Sequence, residues 1–214
     1  MLATTLATAG AVLARADLVT AFGHVSARLG DDRMLITPPV PLGSVDPDRC
    51  RAVGLDVDAL PPGVPLEAWL HLAVYRARPD VHAICRAQPE PVTALTAGGV
   101  AITPITGHAV VAGAPVPVSP DGVLVRDAAA GARAALALGQ AQALVLTGNG
   151  AITVGADLGA AVARMWLLDR AARSVAIAAT GVPEPLADEE IASWRRAAPE
   201  LLQRIWTYLS EEIS

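Results

Sequence analysis

Lysine is absent from this 214-residue chain, and all sixteen of its basic residues are arginine. A Schiff base needs a lysine amine, so lysine-dependent aldol chemistry and pyridoxal-phosphate catalysis are excluded. A P-loop lysine is excluded with them. Cysteine is scarce: Cys50 and Cys85 form no CxxC pair and are too few for a disulfide framework. There is no basic run, and 21 acidic residues against 16 basic ones leave a net charge of −5, which speaks against a nucleic-acid surface or a polybasic membrane contact. Two stretches, Pro91 to Pro120 and Ala134 to Ala156, carry no Asp, Glu or Arg. Gly, Pro, Thr or amide residues interrupt both, so neither has the continuous apolar pattern of a membrane-spanning helix. The apolar, Ala-rich Met1 to Arg15 lacks a positive leader and reads as a first helix. An apolar content of 53% excludes low-complexity disorder and is enough for one sizeable core. These features predict a single domain over residues 1–214, with a helical tail at about 185–214, in the cytoplasm.

Hydrophobic periodicity predicts helices over Leu2 to Asp17, Pro65 to Arg78, Pro89 to Ala97, Asp121 to Leu138, Asp157 to Thr180 and Asp188 to Leu209, the last interrupted near Pro199. Strands are expected at Gly23 to Leu29, Met34 to Thr37 and His82 to Arg86. Val110 to Val118 holds strand-like runs broken by Gly and Pro. Ala143 to Thr147 and Ala151 to Val154 flank Gly148-Asn149-Gly150, a strong hairpin signal. Interleaved strands and helices make an α/β domain, and the hairpins make its sheet mixed rather than purely parallel.

Three segments, in order and at matching spacing, resemble one family. GHVSAR at 23–28 with LITPP at 35–39, EAWLHLAVYRARPDVHAI at 67–84 and LVLTGNGAITVGADLGAA at 144–161 are similar to motifs of the class II aldolase/adducin superfamily. The resemblance spans roughly residues 5–180. It implies a three-layer α/β/α fold with a mixed central sheet and a homo-oligomer, usually a tetramer, with active sites near subunit contacts. Active members bind a divalent metal, commonly zinc, and stabilise an enediolate.

This sequence departs from that pattern at the metal. Where the family has His-x-His-Pro, it reads Arg86-Ala87-Gln88-Pro89, and the family's later histidine is Asn149. Arginine has no lone pair to donate, and amide oxygens are weak substitutes for imidazole. The inherited metal site is therefore expected to be lost, with no metal and no cofactor. Pro65 and Leu66 stand where phosphosugar members carry hydroxyl residues, so a sugar phosphate is a poor substrate.

Glu67 matches the family's catalytic acid/base, although a glutamate in a first helical turn is also favoured by the helix dipole. Arg86 stands at a former ligand position. It either holds a carboxylate or enolate oxygen or simply neutralises Glu67. His24 is the third catalytic candidate, as a proton carrier or anion donor. Gly23, Thr37, Gln88, His108 and Asn149 are the substrate-binding candidates. Gln88 either hydrogen-bonds substrate or fills the space of a lost ligand and caps the following helix, and Asn149 suits a tight turn through positive φ. His71, one turn after Glu67, either orients that carboxylate or packs. Cys85 beside Arg86 is either a reactive thiolate or an inert buried thiol. Trp194 and Trp206 read as core or subunit anchors, and Tyr208 as a tail proton donor. The function expected is a metal-independent lyase acting on a small oxo- or hydroxy-carboxylic acid through an enolate-like state. The alternatives are a catalytically inactive scaffold and a shifted metal site built from His24, His71 and His108.

Overall fold

A computed structural model describes residues 1–120 and 122–211. The order is α1 (Leu2–Arg15), β1 (His24–Leu29), β2 (Arg33–Ile36), β3 (Arg51–Gly54), α2 (Ala68–Ala77), β4 (Ala83–Ala87), α3 (Glu90–Ala97), α4 (Gly107–Ala112), α5 (Ala128–Leu138), β5 (Ala143–Val145), β6 (Ala151–Gly155), α6 (Leu158–Ala178) and α7 (Asp188–Glu211). Six strands form one sheet in the order β3-β2-β1-β4-β6-β5. All five pairings between them are antiparallel, so the mixed character expected of the sheet comes from one parallel bridge, Val118 with Val145, at the β5 edge.

Strand alternation sends side chains to two cores. Val25, Ala27, Ala83, Cys85 and Ala87 pack on the face covered by α1, α4 and α6. Ile84, Ile152 and Val154 pack on the opposite face, under α2 and α5. This is the α/β/α sandwich, and the parity puts His24, Ser26 and Arg86 on the α2 side.

Several boundaries differ from the sequence reading for local reasons. Val110 lies in a helix, not a strand: Thr106 caps α4 by accepting from Ala109 N, and Gly113 at φ +111° ends it. Such a short apolar run has no periodicity to separate helix from strand. Helix α5 begins only at Ala128, where Asp127 accepts from Ala130 N; the expected start, Asp121, lies outside the described residues. Asp157 caps α6 in the same way, as expected. Helix α7 runs unbroken through Pro199. Its docking explains this: a Cβ added to Gly107 would meet the Trp194 ring at 2.2 Å, and one added to Gly159 would meet Trp206 at 2.7 Å. Both indoles therefore anchor α7, while Tyr208 is largely exposed. Strand β3, four residues long with only Val53 buried, carried no strand signal. Among the described residues no helix is long and apolar enough to cross a membrane.

Candidate active site

Two glycines bring the backbone close enough to build the site. Gly23, at φ +154°, enters β1 where a Cβ would lie 3.2 Å from Arg86 O and 2.8 Å from Val19. Gly150, at φ +79°, follows the hairpin loop where a Cβ would lie 2.2 Å from Ala87 O. The β1–β4 register then sets His24 opposite Arg86, and the β4–β6 register sets Arg86 opposite Ile152.

Arg86, Gln88 and Asn149 are joined. Arg86 Nη2 donates to Asn149 Oδ1 (2.7 Å) and to Asn149 O (3.2 Å), and Gln88 Nε2 donates to the same Oδ1 (2.8 Å). This corrects two expectations. Gln88 does not cap α3, whose N-terminus has no side-chain cap. Asn149 has no positive φ; Gly148 and Gly150 on either side take that conformation, so the amide is there for its side-chain contacts. Thr37 is wholly buried, and its Oγ1 accepts from Val25 N (3.2 Å), closing the end of β1 against β2.

Glu67 occupies the N-terminus of α2, but its carboxylate caps no backbone N–H. Instead Oε2 lies 3.9 Å from His24 Nε2. Among the described residues no carboxylate comes within 4 Å of Arg86, so the simple Arg86–Glu67 ion pair is not formed. Arg86 is only 3% exposed; burial lowers its pKa, with the Glu67 charge opposing. Burial likewise pushes the Cys85 thiol up to about 12, which makes it the inert cysteine and not the reactive one.

His71 does not orient Glu67; its partner is Ser26, which the sequence reading left without a role. Ser26 Oγ lies 2.7 Å from His71 Nδ1 and 2.9 Å from Tyr75 OH, all buried. Were Tyr75 to accept from Ser26, its own O–H would be buried without an acceptor. Tyr75 therefore donates to Ser26, Ser26 donates to His71 Nδ1, and the ring proton sits on Nε2. Replacing Ser26 with Ala strands two buried polar atoms, so Tm is expected to fall by several degrees, about 1–3 kcal/mol. Ser26→Thr, which keeps the hydroxyl, restores it, and thermal unfolding of the two variants checks the pair. Arg28 is structural, as expected, donating to Val81 O, Tyr75 O and Arg78 O with its guanidinium over the Tyr75 ring.

The His24 and His71 rings are 6.2 Å apart, edge to face. Burial, with the Arg86 charge, lowers the His24 pKa well below its usual 6.5 and the His71 pKa to about 3. Both are neutral in the folded protein at pH 7. The unfolded chain binds protons on these groups below pH 6.5 that the folded chain refuses, so stability is full above that pH and declines as pH falls toward 3. The slope expected from His71 is about 1.4 kcal/mol per pH unit. Urea unfolding at pH 7 and pH 5 measures it, and a His71→Gln variant removes the His71 share of the slope while that of His24 remains.

Three buried polar atoms in this cluster have no hydrogen-bond partner: His24 Nδ1, His71 Nε2 and Arg86 Nη1. Native interiors satisfy nearly all such atoms, so three on adjoining side chains mark a place prepared for a polar ligand. The donor set does not fit a divalent metal. Arg86 adds positive charge, Asn149 Oδ1 already receives two N–H groups, and among the described residues no three His, Cys, Asp or Glu side chains group as a metal ion requires. His108 is not brought here. It is exposed on α4, whose buried face packs with α6 across the sheet, and the three-histidine set is not assembled.

Fold and site together define a member of a known class. The family model of the Class II Aldolase and Adducin N-terminal domain matches residues 4–176, and the chain belongs to this family. It is 33% identical over 177 residues to 3,4-dihydroxyphthalate decarboxylase from Terrabacter sp. (strain DBF63), across 74% of this chain and 73% of that protein. Identity to the Arthrobacter keyseri protein of the same name is 31% over 163 residues, across 69% of this chain and 66% of that protein. The crystal structure of YgbL from Escherichia coli superposes with a TM-score of 0.80 at 26% identity, covering 91% of this chain and 97% of that one.

Proposed function

We propose that this protein is a metal-independent decarboxylase of hydroxylated or oxo-bearing carboxylic acids, with dihydroxylated aromatic acids as its first candidate substrates. The observation that carries this reading is the unpartnered, buried Arg86 Nη1 beside the two unpartnered imidazole nitrogens. The relatives named as decarboxylases support the reaction type.

In a substrate whose carboxylate lies β to an oxo or hydroxyl oxygen, the bond to the carboxylate carbon breaks and CO2 leaves. Where that oxygen is a carbonyl, the electron pair delocalises onto it. An ortho-hydroxy aromatic acid first tautomerises: its hydroxyl gives up a proton as the ring carbon that bears the carboxylate takes one from Glu67, and the resulting oxo oxygen then receives the pair. Arg86 Nη1 and the His71 Nε2–H are donors for the developing oxyanion, held in place by Asn149 and by the Tyr75–Ser26 chain, and thus stronger toward the charged state than toward the substrate. Glu67, with His24 beside it, delivers the proton that replaces CO2 on carbon. Exposed Phe22 and Leu66, next in sequence to Gly23 and Glu67, are apolar surface that a second subunit would cover, which supports a homo-oligomer, proposed as a tetramer. A scaffold without catalysis would gain nothing from keeping a buried charge unpaired.

The test is CO2 release from 3,4-dihydroxyphthalate and a panel of ortho-hydroxy and β-oxo acids, before and after dialysis against a chelator. Turnover that survives chelation, in protein without stoichiometric metal, is the expected result. Turnover that returns only with added zinc, or no turnover with any acid in the panel, overturns the proposal.

A further inference from the structure

A second cationic site lies away from Arg86, toward the Gly155 end of β6 rather than its Ala151 end. Arg164, on α6, is 9% exposed and donates through Nε to Val111 O (3.3 Å) and through Nη1 to Val154 O. Nη2 makes no hydrogen bond among the described residues. Nor, among those residues, does any carboxylate lie within 4 Å of Arg164 or of Arg195 on α7. Asp157 opposes the burial of Arg164 only from beyond ion-pair distance, and burying a guanidinium this far with no direct ion pair is costly.

Both arginines line a cavity of about 430 Å³ between α4, α6 and α7, together with Gln140 and Gln142. No acidic residue lines it. A neighbouring cavity of about 380 Å³ shares Arg164, Arg195 and Gln142 but adds Asp80 and Asp157, so the anion's place is the first. The size suits a small molecule, and two guanidinium groups with two amides are the chemistry of a carboxylate or phosphate site.

We propose that Arg164, Arg195, Gln140 and Gln142 form a second binding site, for a small oxyanion, separate from the catalytic cluster. This site does not depend on the decarboxylase reading. Thermal unfolding of the full chain is followed while inorganic phosphate or succinate is titrated, with sodium chloride holding ionic strength constant. A saturable rise in Tm is expected with at least one of them, and the more effective anion tells phosphate from carboxylate. Arg195→Ala, on the exposed side of α7, is expected to weaken the apparent affinity about tenfold or more, as is Arg164→Gln. Arg86→Met is expected to leave it unchanged. Should Arg164→Gln fail to fold, Arg195→Ala alone decides. No saturable response in the wild type, an undiminished response in Arg195→Ala, or a response abolished by Arg86→Met overturns the site.

Discussion

Replacing Arg86 with Met is expected to lower kcat by about 10²–10³-fold, the usual loss when one preorganised oxyanion donor is removed. The fold is expected to survive. Asn149 Oδ1 keeps its bond from Gln88, and the variant no longer buries a charge that has no carboxylate beside it. Tm should therefore stay level or rise. The split between kinetic constants tells which oxygen Arg86 holds. A fall in kcat with little change in KM places the guanidinium on the oxyanion that develops as CO2 departs; a rise in KM alone places it on a carboxylate gripped equally throughout. A kcat within about threefold of wild type would remove Arg86 from the mechanism, since a donor worth the name in a dry site is worth more than about 2 kcal/mol.

Gly150→Ala is the variant expected to do most damage to stability. Its backbone sits at φ +79°, where an L side chain costs about 1–2 kcal/mol, and the added methyl would stand 2.2 Å from Ala87 O and 2.7 Å from Gln88 Cα. Neither backbone atom swings away as a side chain does, and overpacking adds about 1–3 kcal/mol. The sum, about 3 kcal/mol, corresponds to a Tm lower by about 6–12 °C in a chain of this size. Relief comes only by parting β4 from the hairpin loop, which pulls Asn149 off Arg86 and Gln88. Activity should therefore fall more steeply than the folded fraction. Gly148→Ala is the comparison: φ is also positive at +66°, but nothing lies within 4 Å of its added Cβ, so it should lose only the backbone part. Equal losses in the two variants would show that crowding against Ala87 is not what makes Gly150 necessary.

Much of the fold was legible because the longest elements carry local signals. Asp157 followed by an apolar-periodic run marks α6 as it stands, and Gly148-Asn149-Gly150 marks the β5–β6 connection. The failures share a cause. Helix α4 and strand β3 are too short for periodicity to develop, and Pro199 was read as a break because its cost is local while the docking of Trp194 and Trp206 on two glycines is not. In the candidate site, motif positions nominated Glu67, Arg86 and His24, and the fold sets His24 opposite Arg86, with the Glu67 carboxylate 3.9 Å from His24. Ser26 lay inside the same motif without being singled out, because a serine on a strand gives no sign of which ring it will face.

The sequence alone determined the class of chemistry open to this chain. Without lysine, and with Arg86, Gln88 and Asn149 at the positions where the family resemblance leads one to expect imidazoles, it sets which atoms exist to donate or accept, and no folding alters that inventory. Only the tertiary structure decided which of those atoms remain unspent. Asn149 turned out to be joined to Arg86 and Gln88 by its side chain as well as to Leu146 O by its turn bond, Cys85 was silenced by burial, and Glu67 was set near His24 without an ion pair to Arg86. Those outcomes depend on strand register and on desolvation, which arise between segments distant in sequence and have no signature within any one of them.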